Sequence, residues 1–248
     1  MKRVMDGKGW QTMQISNSNA GALRDEREIY ANLGLNGARI LELGCGAGEK
    51  TRAIARDYPQ ASILALEVDH IQHRKNLELT GYPNIRFAVG GAERIPAEDD
   101  TFDVVFLFKS LHHVPRALMD QALDEIKRVL VPGGVAYISE PVFAGEYNEI
   151  LRLFHDEEAV RAAAFAAIER VVASGKLELV EEIFFNARLR FPDFAAFEDK
   201  VIGATHTRHH LTPAVHAEVR SRFAMHMRDS GAEFRTPMRV DILRKPGA

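Results

Sequence analysis

The chain has 248 residues, and its formal net charge is −3 at pH 7. This length predicts a single domain over residues 1–248, and the small net charge gives no electrostatic reason to expect a nucleic-acid or membrane partner. The single cysteine, Cys45, excludes an internal disulfide, so we expect a cytoplasmic protein. No apolar run reaches the roughly 20 residues that a membrane-spanning helix needs, and no signal peptide is predicted.

The first 34 residues are predicted to form an N-terminal arm. They are polar and rich in turn-forming residues up to about residue 24, and a short charged helix is expected over residues 24–33. Two interpretations stay open for the arm. It is either a loosely packed extension or a lid that closes over a binding site.

A strand, a glycine-rich turn and a helix follow one another over residues 39–51. The apolar residues Ile40, Leu41 and Leu43 have strand character, and a helix is expected over residues 50–58, where Pro59 stops it. Between them, glycines stand at three alternate positions: Gly44, Gly46 and Gly48. Glycines there let the chain turn sharply and let a ligand touch bare backbone. The pattern predicts a nucleotide pocket at the carboxyl end of a parallel sheet.

The identity of the nucleotide follows from two charged residues. A dinucleotide-binding turn needs its third glycine at position 49, where this chain has Glu49. Glu42 lies two residues before the first glycine; its carboxylate would repel a pyrophosphate and attract an ammonium or a sulfonium. Glu42 and the three glycines resemble the first motif of class I S-adenosylmethionine-dependent methyltransferases. Cys45, within the turn, is interpreted as a small apolar filler at the cofactor and not as a nucleophile.

The second predicted strand, residues 62–66, ends in Glu67-Val68-Asp69. An acid about 20 residues beyond the glycines is placed to bind the two hydroxyls of a ribose. Glu67 aligns with the ribose-binding acid of the family, and Asp69 is the alternative. A helix over residues 70–81 is expected next.

The third predicted strand, residues 85–89, leads into a segment that resembles the family's adenine-binding stretch. The acid that commonly faces the adenine amino group is replaced here by Gly91. Adenine binding is therefore expected to depend on backbone groups near Ala92, on Glu93, or on water.

The fourth predicted strand, residues 102–108, is almost entirely apolar, as a central parallel strand should be. It is followed by Lys109 and by a Leu-His-His-Val run that is common in small-molecule methyltransferases, where the loop lines the cofactor and faces the substrate. The Asn/Asp-Pro-Pro-aromatic sequence of amino-group methylases is absent, which argues against DNA adenine or protein glutamine as acceptor. A helix over residues 116–130 and a Pro-Gly-Gly turn into a strand over residues 135–139 complete the resemblance.

The resemblance implies an α/β fold: a Rossmann-like, doubly wound, seven-stranded, mainly parallel sheet with helices on both faces and an antiparallel last strand. Residues 35–140 are expected to bind the cofactor, and residues 141–248 to carry helical insertions on the substrate side. The elements predicted in this second half are helices over 147–153, 156–173, 194–202 and 212–228, and strands over 177–191 and 234–243. The apolar stripe of the 156–173 helix is interpreted as core or as a homodimer contact.

Histidines are the candidate general bases, because their ordinary pKa lies near neutrality. The candidates are His112, His113 and His210. His210 belongs to a cluster with His206 and His209, for which the alternatives are solvated loop residues, a substrate contact or general base, and a metal site. Because no acid flanks this cluster, the metal site is the least favoured of the three, and no metal ligands are assigned.

The resemblance implies methyl transfer from S-adenosylmethionine to a small-molecule acceptor, and we expect no nucleic-acid or membrane partner. The alternatives are a cofactor-binding regulatory or assembly protein without catalysis, which Gly91 favours, and a nicotinamide-dependent oxidoreductase, against which Glu42 and Glu49 argue. The predicted cofactor-binding residues are Glu42, Gly44, Cys45, Gly46, Gly48, Glu67, Val68, Ala92, Glu93 and Lys109.

Overall fold

A computed structural model describes the backbone at residues 4–6 and 9–11 and the full residues 13–17, 21–203 and 211–247. Two short strands, β1 (Val4–Asp6) and β2 (Gly9–Gln11), pair antiparallel near the N-terminus. The polar composition of the arm did not predict these strands.

One mixed sheet forms the centre of the molecule. Its strands are β3 (Arg39–Leu43), β4 (Ser62–Glu67), β5 (Ile85–Val89), β6 (Phe102–Phe108), β7 (Leu130–Pro141), β8 (Glu178–Phe191), β9 (Met227–Arg228) and β10 (Gly231–Arg244). They lie in the order β5-β4-β3-β6-β7-β10-β8, with β9 beside β10. Neighbours among β3 to β7 are parallel, whereas β10 is antiparallel to β7 and β8. The predicted mainly parallel sheet with an antiparallel last strand is confirmed, and the short β9 adds an eighth strand to the predicted seven.

The helices are α1 (Glu26–Tyr30), α2 (Glu49–Asp57), α3 (His70–Leu77), α4 (Met119–Val129), α5 (Glu146–Leu151), α6 (Glu158–Ala173), α7 (Phe194–Phe197) and α8 (Pro213–Ala224). Thr212 caps α8 as its sequence indicates, accepting a hydrogen bond from the Val215 N–H. α8 was predicted to continue to residue 228, which is wrong because Met227 and Arg228 pair with β10 instead. α3 ends four residues before the predicted residue 81, where Gly81 turns the chain at φ +84°. Among the described helices, none is long and apolar enough to cross a membrane.

The two faces of the sheet are covered by different cores. Leu41 and Leu43 of β3 point into the core that contains α4 and α6, while Ile40 points into the core that contains α1 and α2. This alternation is what a strand buried on both faces requires. The apolar stripe of α6 lies in the first of these cores and includes Ala164, Ala167, Ile168, Val171 and Val172. The helices predicted on both faces are confirmed.

A third, largely aromatic core lies beyond the carboxyl end of the parallel strands. It joins α5, α7 and α8 to the ends of β8 and β10. The rings of Phe191, Phe197 and Phe223 contact one another at centroid distances of 5.1 to 6.0 Å. The phenylalanines of the C-terminal half therefore build a scaffold above the sheet edge where the predicted cofactor residues lie.

The arm is attached to β8 at two places. The Gln14 N–H donates to the carboxylate of Glu182 at 3.0 Å, and the Arg24 N–H donates to the Asn186 carbonyl at 3.0 Å. Met13 is buried against the core. These contacts hold residues 13–17 and 21–24 along β8, and the lid stays a prediction.

The aromatic core gives a stability prediction. Phe197 is fully buried in it, so Phe197→Ala should lower the free energy of unfolding by about 3–5 kcal/mol through lost burial and a residual cavity. Leu77→Ala, at a side chain that is 61% exposed, is the matched control and should change it by less than about 0.5 kcal/mol. Urea unfolding followed by circular dichroism measures both; equal effects would contradict the described core.

Candidate functional site

The glycine turn follows β3 at the carboxyl edge of the sheet. The N–H groups of Gly44 and Cys45 both donate to the Leu66 carbonyl at the end of β4, at 2.9 Å. Gly44 and Gly46 have φ of +70° and +53°, a region that side chains rarely tolerate. A Cβ on Gly44 would lie 2.8 Å from the Cβ of Ser110. The turn therefore needs glycine both for its backbone angles and for its close contact with the loop after β6.

Glu42 lies in β3 directly below the turn and is only 2% exposed. The Thr51 hydroxyl, on α2, donates to its carboxylate at 2.7 Å. Burial raises the pKa of Glu42 to about 7, although the Thr51 hydrogen bond and the charge of Lys50 lower it. A buried carboxylate that titrates near neutrality is a site that a bound cation would stabilise in its ionised form.

Glu67 reaches the same turn from the end of β4. One carboxylate oxygen accepts from the Gly46 N–H at 2.7 Å, and the other accepts from the Asp69 N–H at 2.9 Å. Each oxygen keeps a further lone pair for a ligand hydroxyl. Asp69 instead caps α3 by accepting from the Ile71 N–H at 2.8 Å. Of the two acids considered for a ribose, Glu67 is the one whose carboxylate faces the glycine turn.

Asn76 of α3 stabilises the turn, and the sequence did not predict this role. Its amide N–H donates to the Gly46 carbonyl at 2.7 Å, and it lies 3.6 Å from the Cys45 sulfur. Burial raises the pKa of the Cys45 thiol well above its usual range, so the thiol stays protonated at neutral pH. An inert Cys45 agrees with its interpretation as a filler.

The predicted adenine side lies at the end of β5, where the Gly90 N–H donates to the Glu67 carbonyl at 3.2 Å. A Cβ built on Gly91 would lie only 2.4 and 2.5 Å from the carboxylate oxygens of Glu93. The Glu93 carboxylate thus occupies the space that a side chain at position 91 would take. Ala92 is buried beneath this loop, and Val68 is 61% exposed next to Glu67.

Lys109 follows β6, and its φ of +55° is a strained backbone angle for a residue with a side chain. A hydrogen bond holds the backbone in this conformation: the Lys109 N–H donates to the Ser139 carbonyl at 2.7 Å. Its side chain is accessible from a cavity at this edge of the sheet. The surrounding protein nevertheless desolvates the ammonium and lowers the pKa of Lys109. Within the described parts of the chain, that ammonium has no hydrogen-bond or ion-pair partner.

A cavity of about 270 Å³ opens beside Lys109. It lies between the loop after β6, the end of β7, α5, the first turn of α6 and the segment after α7. Apolar walls come from Tyr147, Leu151, Phe191 and Val201, and polar groups come from His113, Asn148, His155, Arg161, Lys200 and Thr236. The C-terminal half, which the sequence only identified as the substrate side, supplies most of this lining.

His112 is held between two carboxylates at the wall of the cavity. Its Nδ1 bonds Glu140 at the end of β7, and its Nε2 lies 3.6 Å from an oxygen of Glu157. Burial alone would lower the pKa of His112, but the charges and hydrogen bonds of Glu140 and Glu157 outweigh burial and raise it to about 9. In the ligand-free protein His112 is therefore protonated at pH 7.

Glu157 stands at the centre of a polar cluster. Arg161 donates to one of its oxygens at 2.5 Å, and His155 lies 2.8 Å from the other. Burial would raise the pKa of Glu157, yet His112 and Arg161 lower it well below its usual range. Because Glu140 ends a buried strand at the sheet edge, its position could have drawn attention in the sequence; Glu157, at a helix start, gave no such signal.

The structure brings the predicted residues into two adjoining groups. Glu42, Cys45, Glu67 and the three glycines surround the turn, with Ala92 and Glu93 beyond β5, whereas Lys109, His112 and His113 face the cavity. His210 and the rest of its histidine cluster lie outside the described residues.

Residues 40–134 match the family model of a methyltransferase domain. The chain is 34% identical over 120 residues to phthiotriol/phenolphthiotriol dimycocerosates methyltransferase 1 of Mycobacterium ulcerans, a match that covers 45% of this chain and 42% of that protein. It is 30% identical over 131 residues to a sterol 24-C-methyltransferase of Yarrowia lipolytica, covering 51% and 34%. The chain thus spans less than half the length of these curated relatives.

The fold is shared with solved structures at low sequence identity. A candidate methyltransferase of Bacillus halodurans C-125 superposes with a TM-score of 0.62 at 19% identity, covering 90% of this chain and 99% of the other. At that identity the likeness establishes the architecture alone. The matched region supports a methyltransferase domain over residues 40–134, and the shared sheet has the Rossmann-like architecture of class I methyltransferases.

Proposed function

We propose that the chain transfers the methyl group of S-adenosylmethionine to a small, mostly apolar acceptor. The observation that carries the proposal is the pair of carboxylates, Glu42 and Glu67, that face one glycine turn from neighbouring parallel strands. One is buried where a cationic ligand would stabilise its charge, and the other presents two oxygens to ligand hydroxyls.

These residues fit a cationic nucleoside better than a dinucleotide. A pyrophosphate is bound by bare N–H groups at a helix N-terminus, but here the Gly46 N–H already donates to Glu67, and Glu42 adds negative charge below the turn. The oxygens of Glu67 suit the two hydroxyls of a ribose. The donor set therefore supports S-adenosylmethionine and argues against NAD.

When bound, S-adenosylmethionine supplies an electrophilic methyl group on a sulfonium that leaves readily. The work left to the chain is positioning. Glu67 orients the ribose, Glu42 attracts the cationic end, and the cavity beside Lys109 holds the acceptor. Alignment of this kind can lower a barrier by roughly 7–11 kcal/mol.

The cavity supports a small acceptor with an apolar body and a few hydrogen-bonding atoms. Its volume of about 270 Å³ lies near the lower end of ligand pockets. Two buried polar atoms among its lining residues, Asn148 Nδ2 and Thr236 Oγ1, have no hydrogen-bond partner among the residues that the structure describes. Buried polar groups ordinarily find partners, and an acceptor oxygen would provide one. The relative from Yarrowia lipolytica is a sterol 24-C-methyltransferase, which agrees with an apolar acceptor for this chain.

The predicted histidine bases have different surroundings. His112, protonated at neutral pH, is suited to donate a hydrogen bond and not to accept a proton. The exposed ring of His113 reaches the cavity, and its centroid lies 4.1 Å from that of His112. His113 is thus the proposed base for an acceptor hydroxyl, its ring nitrogen taking the hydroxyl proton.

Cofactor binding tests the proposal. We expect calorimetry to show one S-adenosylmethionine bound per chain, and Glu67→Gln to weaken it by about 10–100-fold through lost charge-assisted hydrogen bonds. Glu49→Gln, at an exposed acid on the same turn, is the control and should bind normally.

Labelled methyl transfer to lipid or sterol acceptors then tests catalysis. Absence of binding at millimolar cofactor would overturn the proposal, and binding without transfer to any acceptor would favour a regulatory binding protein.

The raised pKa of Glu42 predicts that cofactor affinity depends on pH. Below pH 7 most of Glu42 is protonated in the free protein, so cation binding must first expel that proton. Affinity should therefore rise by up to about 10-fold between pH 6 and pH 8, with most of the change below pH 7. Calorimetry at several pH values measures it. Glu42→Gln should bind more weakly and without this rise; an unchanged rise would show that another group titrates.

The position of the Glu93 carboxylate predicts that an acid at position 91 can replace it. If its carboxylate serves adenine in place of the missing acid, Glu93→Ala should weaken cofactor binding by roughly 10-fold. The double variant Gly91→Asp with Glu93→Ala restores a carboxylate to the same space and should recover most of the affinity. Gly91→Asp alone brings two carboxylates together and should bind no better than the native chain. Full affinity in Glu93→Ala would remove this role.

A further inference from the structure

Three side chains at the cavity wall bring their ligating atoms together. His112, His113 and Glu157 each offer one nitrogen or oxygen atom, and these atoms all lie within 4.8 Å of one another. His112 and Glu157 are buried, whereas His113 is exposed. These residues are distinct from the histidines of residues 206–210, for which a metal was considered from the sequence.

The spacing of the two buried ligands suits a bridging cation. His112 Nε2 lies 3.6 Å from Glu157 Oε1, which is longer than the roughly 2.7–3.2 Å of an N–H···O hydrogen bond. Two atoms bound at about 2.1 Å to a tetrahedral metal ion stand about 3.4 Å apart. The separation therefore matches two ligands of one ion more closely than it matches a direct bond.

Partners outside the triad hold the ligands as metal sites require. Glu140 bonds His112 Nδ1 and is itself fixed by the Leu111 N–H at 2.9 Å. A carboxylate on the far ring nitrogen sets the tautomer that leaves Nε2 for a metal. Arg161 occupies the other oxygen of Glu157, so only Oε1 faces the triad. That positive charge opposes a cation, and the carboxylates of Glu140 and Glu157 compensate for it.

His155 adds a fourth group at the same place. Its Nε2 lies 2.8 Å from Glu157 Oε1 and its ring lines the cavity. A ring nitrogen so close to a ligand oxygen can join the ion's coordination after a small rotation. The cavity leaves the remaining position open to water or to an acceptor atom, as catalytic metal sites do.

We propose that His112, His113 and Glu157 form a binding site for a divalent transition-metal ion such as Zn²⁺ or Co²⁺. Two imidazoles and one carboxylate are ligands for Zn²⁺, Fe²⁺, Co²⁺ and Ni²⁺, whereas Mg²⁺ and Ca²⁺ prefer all-oxygen sites. The assignment gives His113 a ligand's role in place of the general base proposed above. The metal site itself does not depend on methyl transfer.

The test uses the full chain, stripped by a chelator, without cofactor or acceptor. Calorimetry should show one Zn²⁺ bound per chain, and Co²⁺ should give the visible absorption of a four- or five-coordinate site. His113→Ala should weaken binding by at least about 10-fold, and Glu140→Gln, which alters only the supporting carboxylate, by roughly 10–100-fold. Mg²⁺ should give no comparable heat.

Two control variants separate this site from other histidines. His216→Ala removes a half-buried histidine that contacts Glu198 at 2.6 Å and should leave Zn²⁺ binding unchanged. A variant with His206, His209 and His210 all changed to alanine tests the other histidine cluster of the sequence and should also leave Zn²⁺ binding unchanged. Weaker binding in His113→Ala but not in this variant supports the site, whereas loss of binding in this variant alone contradicts it. Binding that survives His113→Ala and Glu140→Gln in folded protein, or no binding by the native chain, overturns the proposal.

Discussion

The glycine turn and the two carboxylates beside it depend on the parallel pairing of β3 with β4. That register sets Leu43 opposite Leu66, so that both strands end together and the chain after β3 can turn over the end of β4. The Leu66 carbonyl accepts the hydrogen bonds that fix the start of the turn. The Glu67 carboxylate accepts a hydrogen bond from the Gly46 N–H farther along the turn. The same pairing brings Glu42 beneath the turn. A one-residue slip would reverse which side chains face each core and would separate the two carboxylates.

Charge is distributed differently on the two sides of this sheet edge. Around the glycine turn, the carboxylates of Glu42 and Glu67 accept hydrogen bonds from backbone N–H groups and one hydroxyl. Around the cavity, histidine, arginine and glutamate side chains compensate one another, while the Lys109 ammonium is left without a partner among the described residues. The boundary between the two is the loop after β6. That loop contacts the turn through Ser110, whose hydroxyl donates to the Leu43 carbonyl at 2.8 Å.

The sequence predicted the glycine turn and the strand-end position of Glu67 because these signals are local. The glycines, the strand before them and the acid after the next strand lie at fixed distances along the chain, and each carries its own physical reason. The choice of Glu67 over Asp69 needed only the position of a strand end. The sequence showed that Gly91 replaces the usual acid. It could not show that the Glu93 carboxylate fills the space beside Gly91, because that depends on how the Glu93 side chain folds back over the loop.

The surroundings of the cavity could not be predicted in the same way. Glu140 reaches His112 from the end of β7, and Glu157, which pairs with Arg161, approaches it through the packing of α6 against the loop after β6. No spacing in the sequence encodes these contacts. The end of α8 was mispredicted for a related reason, because pairing with β10 overrides the helical preference of Met227 and Arg228. Where long-range packing determines the position of a residue, composition and periodicity alone do not predict that position, because tertiary contacts override local preferences.

The central claim is that the glycine turn receives a phosphate-free, cationic nucleoside. A crystal structure of the chain grown with both S-adenosylmethionine and NAD present tests it most directly, since the two ligands compete for one site. We expect a ribose on the carboxylate of Glu67 and the methionine end of S-adenosylmethionine near Glu42. A diphosphate seated on the turn, or a turn that binds neither ligand, would contradict it.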